Sequence, residues 1–176
     1  EVFVFVFFGL VAVVGTAYLQ ALRLEPLFVV AAIPPGALIT AILVVNNLRD
    51  IPTDAAAGKR TLAVILGRRR SGAEYELLLV VAYAVPLLLA AAWMLAGGPL
   101  GGPLPLIFLV LLPLLTIPSA RSLLRLVRTF DEPRELNRAL KGTARLALWH
   151  ALLFAVGLAA LIGVTLEGDW DEPLRR

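Results

Sequence analysis

Between two long apolar runs the chain reads Asn46-Asn47-Leu48-Arg49-Asp50-Ile51-Pro52-Thr53-Asp54, followed shortly by Gly58-Lys59-Arg60-Thr61. Two carboxylates, two amides and three cations fall within this short break. Asn46, Asp50 and Asp54 recur every four residues, so a continuing helix would set them on one face, drifting by about 40° per step. Pro52 interrupts that helix, because its ring clashes with the carbonyl of Leu48 and disfavours helical geometry at Ile51. A helix ending near Asp50 with Asp54 in a turn is expected, and either geometry brings both carboxylates toward one ion. Two carboxylates at a helix C-terminus repel each other and oppose the helix dipole, which calls for a cation. Magnesium suits the set, since it takes one or two carboxylates and keeps its other positions for water and phosphate oxygens. Zinc suits it poorly, because the chain has no cysteine and a single histidine, His150. Downstream, Gly58 lets the backbone turn, Lys59 offers a point charge and Arg60 offers a bidentate fork for phosphate. Acid for a metal and base for an anion together describe a metal–diphosphate clamp. The plain alternative is a charged loop of surface ion pairs whose Lys and Arg are topology signals only.

The elements around this break are those of a membrane protein. Of 176 residues, 60% are hydrophobic and only 16% charged, and the mean hydropathy is +0.88. Several apolar runs are long enough to cross about 30 Å of hydrocarbon. Five spans are expected, at Val2–Leu19, Leu27–Val45, Leu77–Ala96, Leu104–Ile117 and Leu146–Leu166. The second contains Pro34-Pro35-Gly36, a proline pair that should kink it. The fourth is short and must continue past Pro118 toward Leu126 or meet thinner bilayer. Trp170 is placed as an interfacial anchor in the polar tail, and Gly97–Pro103 reads as an uncharged external turn. The absence of a basic n-region and of an initiator Met argues against a secretory signal peptide and for a piece of a longer protein. With five spans, the segments at 46–76 and 118–145 share one side and carry 13 of the 16 basic residues. The positive-inside rule then puts the polar segment in the cytoplasm and the C-terminus across the cell membrane. Basic residues placed this way report orientation in a lipid bilayer, not a nucleic-acid partner.

The residue string is more specific than its chemistry. Asn46-Asn47-Leu48-Arg49-Asp50-x-x-x-Asp54, with Ala57-Gly58-Lys59-Arg60-Thr61-Leu62-Ala63-Val64 and Leu66-Gly67, resembles the second aspartate-rich motif of the UbiA superfamily of intramembrane prenyltransferases. Within it the menaquinone-pathway branch, 1,4-dihydroxy-2-naphthoate polyprenyltransferase, is the most similar. Weaker resemblance extends through the opening span, Pro34-Pro35-Gly36 and Leu136-Asn137 to Gly142-Thr143-Ala144-Arg145. The resemblance implies an all-α, multi-span transmembrane bundle whose five helices equal helices five to nine of a nine-helix fold, residues 1–176 forming one domain fragment. It also implies a missing N-terminal half, because the family's first motif, of the form Asn-Asp-x-x-Asp-x-x-x-Asp, is absent from the 176 residues. Ala55 stands where relatives often carry a cation, so Lys59 and Arg60 would bear more of the diphosphate.

The implied reaction moves a polyprenyl group from polyprenyl diphosphate to 1,4-dihydroxy-2-naphthoate, with loss of carbon dioxide, giving demethylmenaquinone. Asp50 and Asp54 would hold Mg2+, directly or through water, with Asn46 and Asn47 in support and Lys59 and Arg60 on the diphosphate. Arg49 joins the diphosphate set, although on a helix it lies about 100° round from Asp50, where lipid head groups are the alternative. This chain would supply half of the site and be inactive alone. Another aromatic acceptor, such as 4-hydroxybenzoate, a chlorophyll precursor or haem, remains open. An ion-transporter segment is the reading from another class, but a transporter should hold its acids at mid-span and not at the membrane edge beside Lys59 and Arg60. Arg68-Arg69-Arg70 read first as topology anchors, and Arg121, Arg125 and Arg128 share a helical face suited to anionic lipid. His150 reads as a packing or interfacial residue, and the Phe3, Phe5, Phe7, Phe8 cluster as lipid-facing.

Overall fold

The computed structural model describes residues 1–95 and 109–169, and among these it is helical with connecting turns and no strand. In lipid a backbone must satisfy its own hydrogen bonds, and helices do so within one segment. Six helices are described. Helix α1 (Val2–Ala21) winds as a π-helix over Phe5–Val11 and closes at Leu22, in the left-handed conformation at φ 53°. Helix α2 runs Pro26–Arg49, α3 is the short Ile51–Ala56, and α4 runs Leu62–Leu95 with a break at Gly67, φ 73° and ψ 171°. A 3-10 turn at Leu112–Thr116 leads into α5 (Ile117–Thr129), and another at Pro133–Glu135 into α6 (Leu136–Asp169). Among the described residues four helices are long and apolar enough to cross a membrane, those beginning at Val2, Pro26, Leu62 and Pro133.

Helix α2 is the axis of the bundle. Half of its apolar window is buried, against 28% for α4 and for α6 and 6% for α1. Its inner face, Leu38, Ala41, Val45 and Leu48, packs with Tyr75, Leu79 and Ala82 of α4 and with Leu136, Ala139 and Leu146 of α6. The hydroxyls of Tyr75 and Thr143 pair with each other in this core, whereas Ser71 Oγ and both ring nitrogens of His150 are buried without a hydrogen-bond partner among the described residues. Thr143 donates to the carbonyl of Ala139 at 2.8 Å, so its oxygen is left to accept from the Tyr75 hydroxyl at 2.9 Å. His150 is fully buried between Tyr83 and Phe154, which is the packing role its position in the last span predicts.

Several expected boundaries move. Pro34 and Pro35 lie inside an unbroken α2, and Gly36 beside them provides a close crossing. A Cβ on Gly9 would sit 2.6 Å from the Gly36 Cα, so α1 and α2 meet backbone to backbone at that point. The third span begins as helix at Leu62, well before Leu77, which makes much of 46–76 helical. The last span extends from Leu136, ten residues ahead of Leu146. Of the expected span Leu104–Ile117, residues 104–108 lie outside the described residues, as do Gly97–Pro103 and Trp170. Pro118 does not stop a helix but sits in the first turn of α5, where its missing N–H is not needed. Phe3, Phe7 and Phe8 are exposed on the outside of the bundle, while Phe5 lies against Gly36.

Replacing Gly9 by Ala pushes a methyl into the Gly36 backbone, which has no flexible side chain to yield. The expected cost is about 1–3 kcal/mol, the usual range for overpacking, read as a lower thermal midpoint of the purified protein in detergent. Gly15→Ala, where a Cβ meets nothing within 4 Å, should leave the midpoint unchanged.

Candidate functional site

The residues singled out by spacing gather where α2 ends. Asp50 leaves helical geometry at φ −92° and ψ 4°, closes α2 and opens α3. Pro52 explains the break, yet the chain resumes a helix at once, so Asp54 lies on α3 and not in a turn. The backbone N–H of Asp54 donates to the Asp50 carbonyl at 2.8 Å, and the Thr53 hydroxyl donates to the same oxygen at 2.9 Å. The two aspartates thus stand one helical turn apart.

Each carboxylate has its own cation. Arg49 grips Asp50 bidentately, Nε to Oδ1 at 2.8 Å and Nη2 to Oδ2 at 2.8 Å. The same guanidinium donates to Asn46 Oδ1 at 3.0 Å and across to Asn137 Oδ1 of α6 at 3.0 Å. Asn46 in turn donates to Asp50 Oδ2 at 3.3 Å. Lys59 pairs with Asp54 at 3.1 Å, the carboxylate largely buried and the ammonium largely exposed. The loop is drawn tight by Lys59 N–H donating to the Asp54 carbonyl at 2.9 Å, a closure for which Gly58 adopts φ 71°. The expectation that Arg49 points away from Asp50 is therefore corrected. A long side chain with a planar fork folds back onto the neighbouring carboxylate, which a helical-wheel angle does not anticipate.

Not every candidate joins the cluster. Asn47 donates instead to Glu1 at 2.8 Å, tying α2 to the start of α1. Arg60 is exposed and makes no ion pair among the described residues. Asn137 and Arg134, which carried no motif signal beyond a weak resemblance around 136–145, turn out to face Asp50. A cavity of about 410 Å³ opens there, lined by Arg49, Asp50, Pro52, Thr53, Arg134 and Asn137. It takes in Asp50 and not Asp54.

Among the described residues no three acidic or histidine side chains converge as a complete metal centre. The donor set fits half of one. Magnesium needs one or two carboxylates, with water and phosphate oxygens completing its shell, and Asp50 and Asp54 are two carboxylates whose present partners are exchangeable cations. The Arg49 guanidinium beside Asp50 holds its carboxyl below the usual carboxylate range, against the opposing effect of partial burial, with Lys59 adding a smaller pull.

A depressed carboxylate contributes stability that is present above the ordinary aspartate value of about 3.9 and is lost as pH falls through the lower folded value. The thermal midpoint of the divalent-free chain should fall on acidification below about pH 4 through this pair. Arg49→Gln should flatten that part of the profile, and an unchanged profile would show that the pair is not formed in solution.

Comparison with known proteins matches residues 1–132 to the family described as the UbiA prenyltransferase family. The 1,4-dihydroxy-2-naphthoate octaprenyltransferase of Mycobacterium tuberculosis is 42% identical over 161 residues, which is 90% of this chain and 50% of that protein. The protein of the same name from Escherichia coli is 37% identical over 158 residues, 90% of this chain and 48% of the other. UbiA prenyltransferase domain-containing protein 1 of Homo sapiens is 32% identical over 158 residues, 90% of this chain and 42% of that protein. The chain spans about half the length of the curated relatives it matches.

Proposed function

The chain belongs to the UbiA prenyltransferase family, and on that premise we propose that it supplies the second aspartate-rich half of a site that prenylates 1,4-dihydroxy-2-naphthoate. The observation that carries the reading is the pair Asp50 and Asp54, one turn apart on a hydrogen-bonded backbone and each paired with a cation, with Asp50 on the wall of a cavity that Arg49 and Arg134 also line. Asp50 and Asp54 hold magnesium, directly or through water. When bound, the ion neutralises charge on the departing diphosphate and so stabilises the transition state for cleavage of the allylic C–O bond.

The chain's own residues do the rest. Arg49 keeps Asp50 oriented until ligand arrives, and its guanidinium, on the cavity wall, is then free to meet a diphosphate oxygen. Lys59 turns from Asp54 to the diphosphate in the same exchange, and Arg60, unpaired among the described residues, adds a second fork. Asn46 stays with Asp50 as a neutral donor. Asn47 supports the site at one remove, by fixing α2 to α1. The C–O bond breaks with its electron pair going to the diphosphate. The acceptor ring forms the new C–C bond at the carbon that bears its carboxyl, and that carboxyl leaves as carbon dioxide. The product is demethylmenaquinone in its quinol form. The apolar spans receive the isoprenoid tail, which prefers hydrocarbon to water.

This reading makes the chain the C-terminal half of the protein, helices five to nine of nine, completed by an N-terminal half with the first aspartate-rich motif. The 13 of 16 basic residues that the five-span arrangement gathers on one side support a site at the cytoplasmic face of the cell membrane with the C-terminus opposite. Other aromatic acceptors differ only in pocket shape, and the naphthoate is preferred because two of the relatives above bear its name.

Product analysis by mass spectrometry, offering 1,4-dihydroxy-2-naphthoate and 4-hydroxybenzoate with polyprenyl diphosphate, tests it. Residues 1–176 alone should give no product, and co-expression with an N-terminal half should restore magnesium-dependent turnover on the naphthoate. Asp50→Asn and Asp54→Asn should each lower that turnover by more than the roughly 10–100-fold typical of outer-shell changes, with membrane insertion intact. Turnover by the chain alone, or unchanged turnover in either variant, would overturn the assignment.

A further inference from the structure

We propose that the seam between α4 and α5 is a binding site for an anionic phospholipid, its phosphate held among Arg68, Arg69 and Arg128 and one acyl chain lying in the groove below. A cavity of about 620 Å³ opens between the start of α4 and the end of α5, lined by Arg68, Arg69, Gly72, Ala73, Val127 and Arg128. Its walls are preorganised. The Arg68 guanidinium carbon stands 3.6 Å from the centroid of the Phe130 ring, and the same side chain donates to the Phe130 carbonyl. Arg128 is fixed by Glu76. Arg69 makes no ion pair among the described residues, so three guanidinium groups face one carboxylate. The floor is Gly72, which is buried, yet a Cβ built on it meets nothing within 4 Å. Empty volume therefore lies directly over the helix backbone, where a headgroup atom can approach.

One turn further along both helices a second, mostly apolar groove of about 330 Å³ begins, with Glu76 at its near end, Leu79, Val80, Leu87 and Leu124 along its length and Arg121 on its α5 side beyond Leu124. Glu76 and Arg128 join the two spaces, since each lines one and they pair with each other. From Leu79 to Leu87 the groove runs about 12 Å at 1.5 Å per residue, within the roughly 15 Å of one bilayer leaflet. A basic headgroup pocket adjoining an apolar groove about 12 Å long, the two separated by the Glu76–Arg128 pair, fits a phosphodiester lipid. A zwitterionic headgroup would bring its own cation against the arginines, which favours an anionic one. The lining is separate from the Asp50 cavity, and with Glu76 occupied by Arg128 there is no free carboxylate pair for a magnesium–diphosphate head.

Native mass spectrometry of the full 176-residue chain, released from micelles doped with equal phosphatidylglycerol and phosphatidylcholine, reads the site directly. Phosphatidylglycerol should be retained in preference. Arg69→Gln should lower its retention about fivefold, and Arg69→Gln/Arg128→Gln about 25-fold, from the usual contribution of one cation to anionic-lipid attraction. Gly72→Leu keeps every charge and fills the cavity, and should also abolish the preference, with helicity checked by circular dichroism. Arg70→Gln, next door but outside the lining, should change little. Equal retention of both lipids, an unaltered preference in Gly72→Leu, a loss in Arg70→Gln as large as in Arg69→Gln, or displacement by equimolar geranylgeranyl diphosphate would each overturn the assignment.

Discussion

The bidentate contact between Arg49 and Asp50 is the interaction on which the functional end of the molecule depends. It lies at the C-terminus of the most buried helix, so whatever fixes that terminus fixes the site relative to the core. The same guanidinium reaches Asn46 behind it and Asn137 on α6, and through these bonds α2, α3 and α6 share one polar node. A charge-assisted, two-point contact resists rotation in a way that a single hydrogen bond does not. Without it a carboxylate ending a helix would face the helix dipole unaided. A local pair of oppositely charged neighbours thus doubles as the clasp between distant parts of the chain.

The bilayer constrains everything beneath that node. Charged side chains are costly in hydrocarbon, and inside the bundle the polar groups are uncharged hydroxyls such as the pairs Tyr75–Thr143 and Tyr83–Thr116, with Ser71 and His150 buried without hydrogen-bond partners among the described residues. Close contact comes from small residues instead. Gly9 against Gly36 brings α1 and α2 together, and Gly142 against Leu123 seats α5 on α6. Charge is concentrated at the end of the bundle where Asp50, Lys59 and Arg68 lie, while the Arg23–Glu25 pair sits at the opposite end of α2. For the proposed function that separation would suit an apolar tail and a polyanionic head, each in the medium it prefers.

Much of this was legible in the residues. The motif from Asn46 to Thr61 carried the resemblance to the family the chain belongs to, and long apolar runs pointed to an all-helical membrane bundle, because lipid leaves few other solutions. Helix ends were not. Leu136 begins its helix on an amphipathic turn where hydropathy has no sharp edge, and at Leu62 the short apolar turn Leu62–Leu66 is cut off from the span by Arg68-Arg69-Arg70. Pro34 and Pro35 cost α2 two donors without bending it out of helix, since the neighbouring Gly36 contact with α1 fills the space. The orientation of Arg49 depends on side-chain reach, which periodicity does not encode. Asn137 is 88 residues from Arg49 in sequence and meets it only through the fold. Asn47, one residue from Asn46, leaves the cluster because a helix turns successive side chains apart by about 100°.

If Asp50 and Asp54 trade their arginine and lysine partners for a divalent ion and diphosphate, their carboxylate groups must change coordination in the bound state. Infrared difference spectra of chain labelled with 13C-aspartate report this, recorded before and after adding magnesium with geranylgeranyl diphosphate. Shifted aspartate stretching bands that appear only with both components, and vanish in Asp50→Asn/Asp54→Asn, are the predicted result. Bands that stay in place while the diphosphate binds would contradict the exchange and with it the role given to the pair.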